Sequence, residues 1–412
     1  MSTATAFLPD KRTPMKIAVL AAAITVLIPG GIVRAWDIGE NARLFGYAQL
    51  WFTVHEQMEE AGDLYQHPSG DEAATSTTGF SINRARLGAD AFFLDKFLEL
   101  NTQLRLERNI GILDLYLGIH PARWLSVYLG QFKIPAPRET LTAASDLDFI
   151  FRSTISENLV DYSLSRTTYA SSMFYGVYSY LRDFGVGLKG ELDIKLGLLR
   201  YFFMLGNGLG ANLFIGGAAK KEYILTNAGQ FFYGLRLEIA GILEMITVGG
   251  HINYNWHDNM VFNSGRVVFD LKRISYSGDA TISLPGTGLR AGCLYGRGEI
   301  RDDYDDDGRT DLAYSGWECH LLWRLNDPFS RWAPASFWKD HIFEIGARFD
   351  DYRSEWDETG VQVIQDQWTF GANYVFSKML KIQINYVMKR GDDPSMPDLD
   401  DDILLLSVQG AI

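Results

Sequence analysis

From residue 43 onward the chain repeats one pattern: segments of about ten residues in which apolar and polar positions alternate with a period of two. Such a segment forms a strand with one face for an apolar surrounding and one for water. Sixteen strands are predicted, near 43–55, 80–93, 96–108, 111–120, 124–132, 182–193, 195–206, 231–240, 244–257, 266–284, 288–300, 312–326, 341–354, 365–376, 380–390 and 402–412. In the fourteenth, Trp368, Phe370, Ala372, Tyr374 and Phe376 share one face, and Gln367, Thr369, Gly371 and Asn373 the other. The ninth sets Ile246, Val248, Ile252, Tyr254 and Trp256 against Thr247, His251, Asn253 and Asn255, and the fifteenth sets Leu380, Ile382, Ile384 and Tyr386 against Lys381, Gln383 and Asn385. Strands of soluble sandwiches alternate too, but they average about five or six residues.

The connections alternate as well. Short ones fall after even-numbered strands, as at Leu94-Asp95, Pro121-Ala122-Arg123, Gly241-Ile242-Leu243, Pro285-Gly286-Thr287 and Ser377-Lys378-Met379. Longer polar ones follow odd-numbered strands, as at 56–79, 133–181, 207–230, 301–311 and 391–401. An up-and-down barrel with short periplasmic turns and long external loops has this parity. Two connections break it: Asn109-Ile110 is short where a loop is due, and Asp327 to Asp340 is long where a turn is due, so strand boundaries there are open to revision. Aromatic residues collect at both strand ends, Phe93, Phe97, Trp124, Trp323 and Phe376 at the turn side and Phe231, Tyr233, Trp256, Trp368 and Tyr386 at the loop side, as interfacial girdles would. The predicted fold is all-β, a transmembrane antiparallel up-and-down barrel of about sixteen strands in a bacterial outer membrane.

Ahead of the barrel, Lys11, Arg12 and Lys16 precede an apolar run from Ile17 to Ile28 and the small-residue segment Val33-Arg34-Ala35. This order reads as a secretory signal over 1–35, with residues 36–412 as the barrel domain; Met15-Lys16 offers a more compact start than Met1. Twelve apolar residues at about 1.5 Å each fall short of the roughly 30 Å hydrocarbon core, and no later run reaches eighteen. Removing 1–35 takes four of the 38 basic and one of the 51 acidic residues and leaves a charge of −16, which argues against a nucleic-acid partner. Forty Gly, 20 Tyr and 25 Phe suit long strands and tight turns, and two Cys do not make a disulfide scaffold.

Residues 130–153 read GQFKIPAPRETLTAASDLDFIFRS. This block resembles the phosphate-selective porin O and P family, in which a strand ending Gly-Gln-Phe-Lys-x-Pro leads into a loop with Glu, Leu-Thr and a Phe-x-x-Arg-Ser ending. The matching positions are Gly130, Gln131, Phe132, Lys133, Pro135, Glu139, Leu141, Thr142, Phe149, Arg152 and Ser153, with weaker echoes in Arg182-Asp183-Phe184-Gly185-Val186 and Gly206-Asn207-Gly208. The resemblance implies a sixteen-stranded porin, a homotrimer in outer-membrane lipid, with a third external loop folded inward as a constriction and small anions such as phosphate as solutes. Two departures stand: the chain ends in Ile412 where such barrels end in an aromatic residue, and the family's lumenal basic ladder has no residue-by-residue match.

On this reading Lys133, Arg138 and Arg152 are the constriction cations, opposed by Asp146 and Asp148, and Arg86, Arg105, Lys189, Arg236, Arg290 and Arg348 line a lumenal anion path. Lumen-face acids, among them Asp90, Glu99, Asp114, Glu238, Asp279, Glu318 and Asp350, nearly balance the cations, so cross-strand pairing in a weakly selective channel is the plainer expectation. In the 302–311 segment Asp303, Asp305, Asp307 and Gly308 form half of a calcium loop, but the twelfth position is Tyr314 where a bidentate Glu belongs, and a solvated acidic loop is expected ahead of that calcium candidate. No other cofactor is expected. His120, His251 and His320 lie on separate strands without a hydrolase or metalloprotease motif, so catalysis is not expected; a closed-lumen adhesin or structural barrel is the alternative, and an outer-membrane hydrolase a remoter one. Cys293 and Cys319 lie symmetrically about Asp306, which sets them opposite each other if the hairpin is regular; we expect separate small apolar residues, since one bulge would break that register.

Overall fold

Within lipid every backbone N–H and C=O needs an internal partner, and a sheet of two-faced strands meets that need only by closing on itself. A computed structural model describes residues 37–39, 41–55, 78–107, 110–160, 181–208, 231–257, 260–261, 267–268, 271–301, 312–326, 341–356, 362–376, 379–392 and 401–411. Its barrel strands are β1 (Ala42–His55), β2 (Thr78–Phe93), β3 (Leu98–Arg105), β4 (Gly111–Ala122), β5 (Leu125–Lys133), β6 (Arg182–Ile194), β7 (Gly197–Gly206) and β8 (Phe232–Ile242). The second half comprises β9 (Ile246–His257), β10 (Leu271–Leu284), β11 (Leu289–Arg301), β12 (Leu312–Arg324), β13 (His341–Trp356), β14 (Gln362–Phe376), β15 (Leu380–Asp392) and β16 (Asp401–Ala411). Sequence neighbours pair antiparallel all the way round, and β16 returns to β1 with Ile403 opposite His55 and Ala411 opposite Tyr47. Each of the sixteen predicted segments overlaps one of these strands. A short strand at Asp37–Gly39 pairs with the start of β1, and a two-residue ladder joins Met260–Val261 to Val267–Val268.

The long connection is real, spanning 325–340, whereas β3 ends at Arg105, three residues before the predicted boundary, so the short connection covers 106–110. Between β3 and β4 the chain needs no long loop because β2 runs past the end of β3 and caps it: Leu106 N donates to Ala85 O at 2.8 Å, and the Glu107 carboxylate accepts from Ala85 N at 2.8 Å. At the start of the long 325–340 connection, Leu325 N donates to Phe343 O at 2.9 Å and Asn326 Oδ1 accepts from Phe343 N at 2.8 Å.

The two faces separate as the pattern predicts. On β14, Trp368 and Phe370 are 47% and 45% exposed on the lipid side, while Thr369 and Asn373 are buried on the other. The predicted girdle residues Phe93, Phe97 and Trp124 at the turn side and Phe231, Tyr233, Trp256, Trp368 and Tyr386 at the loop side are exposed on the outer surface. The cysteine expectation is overturned. The β11–β12 ladder runs without a bulge from Leu289 opposite Trp323 to Ile300 opposite Leu312, so Cys293 faces Cys319 at a Cα–Cα distance of 4.2 Å and the two are disulfide-bonded.

A closed ladder with no edge resists detergent, so the unboiled protein should migrate differently from the boiled form on a denaturing gel. Thiol titration in denaturant without reductant should find no free thiol; two free thiols would remove the bridge.

Candidate pore constriction

β5 ends in the residues that turn the chain into the lumen. Gly130 has φ +133°, a conformation that L side chains avoid, and a Cβ there would meet Leu115 O at 2.3 Å. The resulting kink sends the Gln131 amide beneath β4, where it donates to Ile112 O and Leu113 O at 2.9 and 2.8 Å. Phe132 packs with Ile134, Phe202, Met204 and Phe232, and the Lys133 ammonium donates to Leu141 O at 2.7 Å and to Thr142 O at 3.4 Å. Beyond Pro135 and Pro137 come a single helical turn, α1 (Arg138–Leu141), a 3-10 turn at Ala144–Asp146, and α2 (Thr154–Asn158), whose first turn is capped by the Ser153 hydroxyl accepting from Ser156 N at 3.4 Å. The third external loop therefore folds inward, over 134–160.

Irregular backbone inside a barrel must find donors for its carbonyls, and here the wall supplies them. Asn253 donates to Pro135 O at 2.8 Å, Gln49 to Ala144 O at 3.3 Å, Gln383 to Leu147 O at 3.1 Å and Asn373 to Asp148 O at 2.8 Å. Lys381 reaches Ser145 O and Leu147 O, Arg273 reaches Asn158 O at 2.8 Å, and Ser275 reaches Leu159 O at 3.1 Å. In the opposite sense Ile150 N donates to Asn385 Oδ1 at 2.7 Å. Apolar contacts add adhesion at separate sectors of the wall. Ile155 and Leu159 pack against Leu294, Tyr314 and Tyr352, and Ile150 against Trp51, Val387 and Leu405.

The centre of the attachment is ionic. Arg348, 1% exposed, donates to Glu139 at 3.2 Å, to Asp350 at 3.0 Å and to the carbonyls of Phe151 and Arg152 at 2.8 and 3.3 Å, with its guanidinium 5.0 Å from the centre of the Phe149 ring. Ser153 N and Oγ donate to the same Glu139 carboxylate. Burial alone would raise the Glu139 pKa, but Arg348 and the Ser153 hydrogen bonds outweigh it and hold the carboxyl below its ordinary value. Glu139, Phe149, Arg152 and Ser153 all belong to the 130–153 block, so the resemblance fell on the residues that fasten the loop.

The structure distributes the predicted site residues among three situations. Lys133 and Arg152 turn into the loop itself, Arg152 donating to Thr142 O at 3.0 Å and Glu139 O at 3.4 Å, whereas Arg138 is exposed and reaches Thr281 Oγ1 on β10 at 2.8 Å. Of the proposed anion path, Arg86 pairs with Glu107, Arg236 with Asp279 and with Glu238 at 2.9 Å, Arg290 with Asp148, and Arg348 is enclosed as described. Lys189 lies 4.5 Å from the Tyr128 ring centre and 4.3 Å from that of Phe202, and Arg105 ends β3 on the lumen side. Asp303, Asp305 and Asp307 lie outside the described residues, and among the described residues no metal-binding cluster of His, Cys, Asp or Glu forms. His120 bridges Ser126 and Glu99, both at 2.9 Å, and His251 contacts Ser277 at 2.6 Å; these are cross-strand links of the lumen wall.

Sequence reasoning missed the apolar lumen residues Met204, Phe232, Leu294, Val387 and Leu405 that receive the loop. A signal was present where both faces of a strand are apolar, as in Ile403-Leu404-Leu405-Leu406.

No protein-family model and no curated protein matches this sequence. Solved structures match at the level of fold. An anion-selective porin from Comamonas acidovorans is 10% identical with a TM-score of 0.57, the match covering 90% of this chain and 99% of that one. The in-vitro folded outer-membrane protein OmpT of Vibrio cholerae is 11% identical with a TM-score of 0.56, over 92% and 100% of the two chains. The outer-membrane channel DcaP of Acinetobacter baumannii is 8% identical with a TM-score of 0.54, also over 92% and 100%. The closed sixteen-stranded wall, its apolar outer belt and these likenesses together make this chain a barrel of the porin fold in the bacterial outer membrane.

Proposed function

We propose that this protein is a porin, a water-filled channel through which small solutes diffuse passively, narrowed by the 134–160 loop. The observation that carries this reading is the loop itself, folded into the lumen and tied to the wall by both polar and apolar contacts. Cleavage of a signal over 1–35 and homotrimeric assembly belong to the same proposal; trimers are supported by the family resemblance and by a trimer form described for OmpT of Vibrio cholerae.

For selectivity we infer a mild preference for anions, phosphate among them. Most lumen cations are neutralised in ion pairs and favour neither sign. Arg84, Arg138 and Arg152 differ: their hydrogen bonds go to Gln49, Thr281 and backbone carbonyls, and among the described residues none of the three has a carboxylate partner. An arginine cannot shed its charge. Within a narrow, partly desolvated passage a few such groups outweigh many exposed loop acids, so the net acidity of the chain does not fix the sign of the current. Asp146, exposed on the loop, is the opposing group. The anion-selective porin of Comamonas acidovorans shows that this fold accommodates such a preference.

Reversal potentials across a KCl gradient should show chloride favoured over potassium, with Arg138→Glu and Arg152→Gln each moving the channel toward cations. A cation-selective parent, or one indifferent to both changes, would overturn the anion reading, and block of chloride current by added phosphate would extend it to phosphate.

Glu139→Gln should loosen the loop, giving larger or noisier single-channel conductance at neutral pH. Because the folded-state pKa of Glu139 is lowered, its contribution is complete above the ordinary value of 4.5 and is lost as pH falls through the lowered one. The difference between parent and Glu139→Gln should therefore vanish in strong acid. Removing the cation by Arg348→Met strands two buried carboxylates, a change of roughly 3–5 kcal/mol, and should disturb the loop more than Glu139→Gln does.

A further inference from the structure

The outer surface at the loop side of the barrel is not uniform round its circumference. From β1 to β9 the described outward-facing residues there carry no exposed charge: Phe52, Phe80, Ile82, Leu106, Phe184, Phe203, Tyr233, Tyr254 and Trp256 represent a wholly apolar and aromatic sector. On β10 to β13 the same level and the same outward parity carry Lys272, Arg297, Arg301 and Arg353, interleaved with the carboxylates of Glu299, Asp351 and the exposed Glu355.

These residues have a defined arrangement. Arg297 of β11 lies opposite Ser315 of β12, which in turn lies opposite Arg353 of β13. Two strand spacings separate the arginines, about 10 Å, so both guanidiniums can reach one group placed over Ser315. Two rows further out, past Glu299, Arg301 lies opposite Lys272, whose ammonium is 5.7 Å from the centre of the Trp256 ring. The arginine side chains at 297, 301 and 353 are 45%, 48% and 64% exposed. Glu299 and Asp351 accept from Arg297 and Arg353 at 3.0 and 3.2 Å, each bond using one nitrogen of a guanidinium that carries five N–H donors.

Height decides what they meet. Tyr295 and Trp317 pair across β11 and β12 one row below Arg297 and Ser315, and such aromatics mark the membrane interface. Two residues of strand rise about 7 Å, less after tilt, and the headgroup layer is about 5–7 Å thick on each side. Arg297 and Arg353 therefore stand at the level of lipid headgroups, outside the barrel and remote from the channel.

We propose that Arg297, Ser315 and Arg353, supported by Arg301 and Lys272, form a docking site for a phosphate-bearing lipid headgroup of the external leaflet. Guanidiniums match phosphate geometry, and the hydroxyl between them adds a donor. The apolar sector over β1–β9 offers no equivalent, so such lipid would bind one side of the barrel.

Native mass spectrometry of the folded full chain in detergent tests this, with diphosphoryl lipid A as probe and its dephosphorylated form and phosphatidylcholine as references. Diphosphoryl lipid A should remain bound under collisional activation that strips both references. Arg297→Gln/Arg353→Gln should weaken its binding roughly thirtyfold, about tenfold or less for either change alone. The matched Arg123→Gln/Arg324→Gln variant, which removes two exposed arginines at the turn side, should bind as the parent does. Unaltered heat-modifiable migration establishes that each variant is folded. Equal retention of the dephosphorylated lipid, retention unchanged in the Arg297/Arg353 variant, or equal loss in the Arg123/Arg324 variant would each overturn the proposal.

Discussion

The inside of this barrel depends on the need of an irregular backbone for hydrogen-bond donors. A loop that enters a lumen brings carbonyls that strand pairing cannot satisfy, and leaving them buried and unpaired costs about 1–3 kcal/mol each. Asn253, Asn373, Gln383, Lys381, Arg273 and Arg348 supply those donors from β9, β10, β13, β14 and β15. Much of the polar composition of the wall is thus set by the loop and not by the solute. A lumen-facing arginine or lysine is as often a clamp on the loop as a charge along the path.

Electrostatics follow from the same constraint. Wall cations that face carboxylates across a strand, such as Arg236 with Asp279 or Arg182 with Asp114, cancel locally and keep the strands in register without biasing the current. Cations that bond amides, hydroxyls or carbonyls keep an uncompensated charge. The distinction lies in the partner, not in the residue type, and it sets Arg84, Arg138 and Arg152, together with Lys133 and Lys381, apart from ion-paired residues such as Arg236 and Arg182.

It also explains what could be read from the sequence. Strand positions, faces, closure and girdles follow from a period of two, which one residue of error would invert, so the pattern is unambiguous over sixteen strands. The cross-strand position of Cys293 and Cys319 followed from the centre of their hairpin, while their bonded state depended on a bulge-free ladder that only the register reveals. The inward loop came through the resemblance at 130–153. Its path was not legible, because Gln383 bonding a carbonyl and Gln383 facing water look the same in sequence. Nor were the apolar docking residues, since Leu294 and Met204 sit at lumen parity, where the barrel pattern assigns water.

A buried ion pair is seldom the most stabilising way to hold two surfaces together, since the desolvation of both charges offsets much of their attraction. The apolar clusters around Ile134, Ile150 and Ile155 supply most of the adhesion between loop and wall. Apolar contact is non-directional, however, and a loop held by it alone can shift against the wall with little loss. Arg348 removes that freedom: its donors are fixed in one plane, and it engages Glu139 near the start of the loop, Asp350 on its own strand and two carbonyls near the end. Sliding the loop by one residue would break all of these at once and strand buried charge. The ionic network therefore sets the position of the loop while the apolar clusters set its affinity, and a constriction of constant width requires both.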